Sequence, residues 1–95
     1  MDRVFGSFVW DLGKEAANIH KHGVNFATAA RAFQDPARRL FHDTRHTAAE
    51  ERLFCLGLVD GRVLTVRFTY RAGRIRIYGA GYWRKGRRYY EQTTT

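Results

Sequence analysis

Asp60-Gly61 separates two runs of alternating side chains, and no other pair of residues restricts the fold of this chain as strongly. An Asp-Gly pair favours the left-handed backbone of a two-residue hairpin turn, so residues 51–59 and 62–71 are predicted to pair as antiparallel strands. With two residues in the turn, Val59 lies opposite Arg62 and every other pairing follows. Ala72-Gly73 is a weaker signal of the same kind and predicts a further strand over 74–80, with Arg71 opposite Arg74. Alternation then sorts the side chains onto two faces. The rows Leu53–Phe68–Ile77, Cys55–Val66–Gly79 and Glu51–Tyr70–Ile75 read as a core face. The rows Arg52–Thr69–Arg76, Phe54–Arg67–Tyr78 and Leu56–Thr65–Ala80 form the other, with Glu50, Arg71 and Arg74 at one end. A slip of one residue in either turn would exchange the faces.

The first half reads as helical. Asp11 is placed to cap a helix carrying Leu12, Ala16 and Ile19 at helical spacing, and Gly23 suits its left-handed stop. Asn25 opens a second helix with Phe26, Ala29, Ala30 and Phe33 on one face, ended by Asp35-Pro36. Residues 39–42 predict a short strand and 43–49 a polar loop, either a connection or a substrate-side segment. Residues 84–92 predict a short basic helix weakened by Gly86. The expected class is α+β: two N-terminal helices packed on one face of an antiparallel sheet, followed by a short basic C-terminal helix. At 95 residues, one domain over 1–95 is expected.

Composition narrows the function. The single cysteine, Cys55, excludes an internal disulfide and a thiolate zinc site and reads as a small core residue. No stretch approaches the roughly 18 apolar residues of a membrane span, and the start lacks a secretion signal, so a cytoplasmic location is expected. No metal or cofactor is expected either. His20 and His22 are split across a helix surface, and no carboxylate or thiol cluster completes a site around His42 and His46. Net charge is +8, and residues 1–60 balance eight cations against eight anions. The whole excess therefore lies in residues 61–95, with nine cations against Glu91. Fourteen of the seventeen cations are Arg, the side chain whose planar fork grips phosphate and stacks on bases. Arginines interleaved with aromatic rings on one sheet face suit an RNA strand, phosphates meeting guanidinium groups and bases meeting rings. The competing reading is arginine stems lying over Phe54 and Leu56 on a half-wet sheet.

Phe8-Val9-Trp10-Asp11, Lys14, Asn18, Lys21-His22-Gly23-Val24 and Phe26 resemble the opening of BrnT-type toxins. The resemblance continues through Phe33-Gln34-Asp35-Pro36, Glu50-Glu51-Arg52, Gly61-Arg62-Val63-Leu64, Arg76-Ile77 and Arg88-Tyr89-Tyr90-Glu91, covering roughly residues 8–91 in order. It implies a RelE-like ribonuclease fold and a toxin of a bacterial type II toxin–antitoxin module that degrades RNA and stops translation. It also implies a BrnA-like ribbon–helix–helix antitoxin that binds the toxin and contacts operon DNA. Many relatives carry Ser-Ala-Arg where this chain has Gly79-Ala80-Gly81, which shifts the burden to Arg52, Arg76 and the segment 82–88.

RNA cleavage without a metal uses the 2′-hydroxyl against the adjacent phosphate. It needs a proton acceptor, cations for the pentacoordinate phosphorane and a donor for the leaving oxygen. Arg52, Arg67 and Arg76 suit the middle task. By analogy with RelE-like toxins, proton transfer falls to Tyr78, Tyr82, Lys85 or Tyr90. Glu50 shares the arginine face but lies where Arg71 and Arg74 can engage it, and Glu51 falls on the core face. The expected site is Arg52, Arg67, Arg76 and Tyr78 for catalysis, with Tyr82, Trp83, Arg84, Lys85, Arg87 and Arg88 for RNA binding. A non-catalytic basic module binding RNA or a protein partner is the alternative. An acidic or amphipathic antitoxin segment is expected to lie across the arginine face by charge complementarity.

Overall fold

Before any helix, the chain makes a hairpin. β1 (Asp2–Phe5) and β2 (Phe8–Asp11) turn through Gly6-Ser7, with Phe5 opposite Phe8. The computed structural model describes residues 1–44 and 50–92. After the hairpin come α1 (Leu12–His22) and α2 (Phe26–Ala30), the latter tightening into a 3-10 turn at Arg31–Gln34. Then follow β3 (Arg39–His42), β4 (Leu53–Val59), β5 (Arg62–Arg71), β6 (Arg74–Gly81) and α3 (Arg84–Glu91). The strands form one six-stranded sheet in the order β1-β2-β6-β5-β4-β3.

This corrects the expected architecture. The sheet is mixed, because β2 runs parallel to β6 through Phe8↔Ile75 and Val9↔Arg76 while the other pairings are antiparallel. The chain does not open with two helices on an antiparallel sheet; both helices follow one strand hairpin, β1–β2, that extends the sheet. The reason is local. Gly6, at a φ of 60°, allows a two-residue turn between Arg3-Val4-Phe5 and Phe8-Val9-Trp10. Strands of four residues are too short for alternation to reveal them.

The helix caps arise as the sequence predicts. The Asp11 carboxylate accepts the Lys14 N–H at 2.9 Å, and the Asn25 side chain accepts the Thr28 N–H at 2.8 Å. Helices α1 and α2 cover one sheet face and bury Trp10, Phe26, Leu64, Phe68 and Ile77 almost completely. Helix α3 lies on the opposite face over a smaller cluster of Leu56, Val63 and Tyr90, with Phe41 beside it. Gly86 is the seat of α3 rather than a flaw in it. A Cβ there would fall 1.9 Å from Thr65 Oγ1, so only glycine lets the helix come this close.

The register of β4 on β5 runs from Leu53↔Phe68 to Val59↔Arg62, as a two-residue turn requires. On β5 and β6 it holds from Arg71↔Arg74 to Phe68↔Ile77 and then shifts by one, giving Arg67↔Gly79, Val66↔Ala80 and Thr65↔Gly81. Tyr78 is the extra residue of a β-bulge. The expected rows Cys55–Val66–Gly79, Phe54–Arg67–Tyr78 and Leu56–Thr65–Ala80 are corrected accordingly, with Gly79 rather than Tyr78 opposite Arg67. Ala80 enters the core with no exposed surface, and Gly79 and Gly81 move to the arginine face.

Two side chains complete backbone hydrogen bonding where strands lack a neighbour. Asn18 donates to the Ala80 carbonyl at 2.9 Å and accepts the Ala80 N–H at 3.1 Å, and it also donates to the Val24 carbonyl at 2.9 Å. Asp35 accepts the Leu58 N–H at 2.8 Å and the Tyr90 hydroxyl at 2.6 Å, while its other oxygen accepts the Ala37 N–H. Burial pushes the Asp35 carboxyl up, but the three donors outweigh it and hold the group below its ordinary range. The Asp35 hydrogen bond, with burial, pushes Tyr90 up to about 12.

Two outcomes follow. Ala72 holds a φ of 51° in the β5–β6 turn, a conformation that strains residues bearing a Cβ. Ala72→Asn, which tolerates it, is expected to add about 1 kcal/mol, roughly 4–8 °C in Tm by calorimetry; an unchanged Tm would contradict the strain. Tyr90 favours its neutral form in the fold, so its contribution is complete below the ordinary value of 10.0 and is lost as pH rises toward about 12. Urea unfolding should show the advantage of the wild type over Tyr90→Phe shrinking across that window and not below it.

Candidate nucleic-acid interface

The bulge organises the face left open beside α3. The Tyr78 ring at the bulge lies beside two guanidinium groups, with Arg52 Cζ 5.3 Å and Arg67 Cζ 5.6 Å from the ring centroid. Arg67 also lies 5.5 Å from the Trp83 ring, whose edge meets His22 at the end of α1 with centroids 5.2 Å apart. The result is a row of alternating cations and rings, Arg52–Tyr78–Arg67–Trp83, with His22 at its end. Two glycines make room for it. A Cβ at Gly79 would come 2.8 Å from Arg67 Nε, and one at Gly81 would come 2.4 Å from the Trp83 indole. Arg67 Nε is buried without a hydrogen-bond partner among the described residues.

Neighbouring arginines are already engaged. Asp2 receives both terminal nitrogens of Arg76 at 2.9 Å, and that contact holds its carboxyl below the ordinary range. Glu50 takes Arg71 Nε and Nη2, both at 2.6 Å, and is lowered in the same way. Among the described residues no carboxylate pairs with Arg52 or Arg67. Helix α3 adds exposed Arg84, Lys85, Arg87 and Arg88. On one flank of it Tyr89 packs on Phe41, which Arg39 overlies at 5.5 Å. On its other flank runs a groove of about 580 Å³ toward the β4–β5 turn.

Residues 10–86 match the family described as the ribonuclease toxin BrnT of type II toxin–antitoxin systems. The chain belongs to this family. Among curated proteins, no sequence matches it. Membership implies an RNA target and an antitoxin partner. The matched stretch runs from Trp10 in β2 to Gly86 in α3 and so contains every strand that contributes to the row. Among the described residues no helix is long and apolar enough to cross a membrane, and no group of three His, Cys, Asp or Glu is arranged to hold a metal ion.

Within this BrnT-family fold, Arg52, Arg67 and Tyr78 come together. Arg76 shares their face but is turned to Asp2. Of the segment after β6, Trp83 joins the row, while Tyr82 lies under Arg62 at 4.0 Å and packs against the main core. Arg84 and Arg87 line the groove, and Lys85 and Arg88 project into solvent. Glu51 is not on the core face as expected: β4 begins only at Leu53, and the exposed Glu51 carboxylate meets His42 Nδ1 at 2.9 Å. Tyr90, one of the proton-transfer candidates, is buried with its hydroxyl committed to Asp35. His46 and most of the 43–49 loop lie outside the described residues. His22, at the end of the row, and Arg62, outside the row beside the groove, were not among the expected site residues. His22 belongs to a helix whose end meets the sheet only through tertiary packing, whereas Arg62 carried a signal in its position beside the Asp60-Gly61 turn.

Placing a methyl group under the indole tests this arrangement. Gly81→Ala is expected to displace Trp83 and shift tryptophan emission to the red, since Trp10, at 1% exposure, stays buried. Emission unchanged from the wild type would mean that Trp83 does not rest on Gly81.

Proposed function

We propose that this toxin is a metal-independent endoribonuclease that acts in the cytoplasm, cleaves RNA at the Arg52–Tyr78–Arg67 row and thereby inhibits translation. The observation that carries this reading is the pair of guanidinium groups sharing the Tyr78 ring with no carboxylate among the described residues to neutralise them. A phosphodiester seated there meets two fixed positive charges, which suits the extra negative charge of a phosphorane better than that of the ground state. The bond from O2′ to phosphorus forms while the bond from phosphorus to O5′ breaks, leaving a 2′,3′-cyclic phosphate. One proton leaves O2′ and one reaches O5′. Tyr78 is the titratable side chain whose ring lies beside both arginines, and we assign its hydroxyl to proton transfer. Trp83 offers a ring for a neighbouring base, and the cations of α3 hold flanking phosphates. Arg76, neutralised by Asp2, is assigned to holding the N-terminal hairpin rather than to the reacting phosphate.

A BrnA-like ribbon–helix–helix antitoxin, carrying DNA through its own fold, is the proposed partner. Its acidic or amphipathic segment would cover the row and make inhibition sensitive to salt. A non-catalytic RNA- or partner-binding role is the second reading, favoured by the engagement of Glu50 with Arg71 and of Asp2 with Arg76.

Cleavage of a single-stranded RNA by the purified chain decides between them. Products ending in cyclic phosphate and 5′-hydroxyl, unaffected by chelator, are expected. Arg52→Gln and Arg67→Gln should each lower kcat about 10²–10³-fold, by analogy with removal of one oxyanion donor. RNA that is bound and left intact would favour the binding module.

A further inference from the structure

Trp83 has a second side. Beyond it lies the groove of about 580 Å³ along α3, lined by Arg62, Tyr82, Arg84 and Arg87 and opposed by one carboxylate, Glu91. Arg62 stacks on Tyr82 at 4.0 Å, the closest approach of a cation to a ring among the described residues. No carboxylate pairs with Arg62 or Arg84 among those residues, and Arg87 reaches Glu91 only at 3.8 Å with both side chains exposed. The groove therefore repeats the chemistry of the row, unneutralised guanidinium groups beside aromatic rings, and the Trp83 indole is the wall common to both.

We infer that the groove is a second nucleotide subsite, in which a single-stranded RNA engaged at Arg52–Tyr78–Arg67 passes Trp83, rounds the N-terminal end of α3 and sets its flanking phosphates against Arg62 and Arg84. The inference rests on the ribonuclease reading and extends it to the length and form of the substrate. A strand that bends around a helix end must be unpaired, since the turn separates successive bases and exposes them to the rings. Arg62 becomes the determinant of footprint: it lies beyond the reacting row and touches only flanking nucleotides. Short RNAs are then cleaved without help from the groove, whereas longer ones gain affinity from it.

Binding of 2′-O-methyl oligouridines, which lack the attacking hydroxyl, tests this in a dinucleotide and an octanucleotide. The octamer is expected to bind more tightly, with a steeper fall of log K against log salt. Arg62→Gln should reduce the octamer slope by about 0.7, the value for one phosphate contact on a single strand, and leave the dinucleotide unchanged. Arg62→Lys, which keeps the charge, should restore the slope. Arg62 is exposed, so unaltered circular dichroism and Tm serve as the folding control. An octamer slope equal in wild type and Arg62→Gln overturns the inference. So does binding of polyglutamate that Arg62→Gln abolishes while RNA binding stays intact, which would give the groove to a polypeptide. If the wild type binds neither oligomer, the ribonuclease reading itself falls, an outcome distinct from the other two.

Discussion

One extra residue in β6 governs how this sheet divides its labour. Without the bulge, a strand alternating from Ile77 onward would place Gly79 in the core and Ala80 among the arginines. With it, Ala80 fills the core and Gly79 moves beside Tyr78 on the opposite face. Tyr78 lies between two cationic neighbours there, and the small Gly79 lets the Arg67 side chain lie close to the backbone. A bulge re-aims side chains without disturbing the hydrogen bonds on either side of it, so the core and the cationic row are satisfied by one strand together.

Net charge alone would describe the open face as uniformly basic, and pairing shows otherwise. Asp2 and Glu50 each hold an arginine in a two-point contact, so Arg76 and Arg71 serve the architecture of the sheet end. Arg52 and Arg67 have rings for neighbours instead, and no carboxylate among the described residues pairs with either. The proposed site follows from this division rather than from the count of cations.

The same economy appears at the strand edges. Asn18 and Asp35 satisfy backbone groups of β6 and β4 beyond the reach of β2 and β3, and Asp35 also fastens Tyr90 of α3. Because α3 is seated by Gly86 and tied by Tyr90, its cationic surface and Trp83 are held in a set relation to the sheet. The groove and the row on either side of Trp83 depend on that seating.

Local chemistry was legible in the residues themselves. Asp60-Gly61 dictated the β4–β5 register, Asp11 and Asn25 capped their helices, and the confinement of the net positive excess to residues 61–95 was plain from the sequence. These are properties of neighbours in the chain, where turn geometry and capping act over two to four residues. The parallel pairing of β2 with β6, the bulge at Tyr78, the engagement of Arg76 by Asp2 and the meeting of His22 with Trp83 were decided only in three dimensions. Each joins residues far apart in the chain, or settles a one-residue choice between faces by which side chain the core can bury, and neither kind of preference is written in any short stretch of sequence.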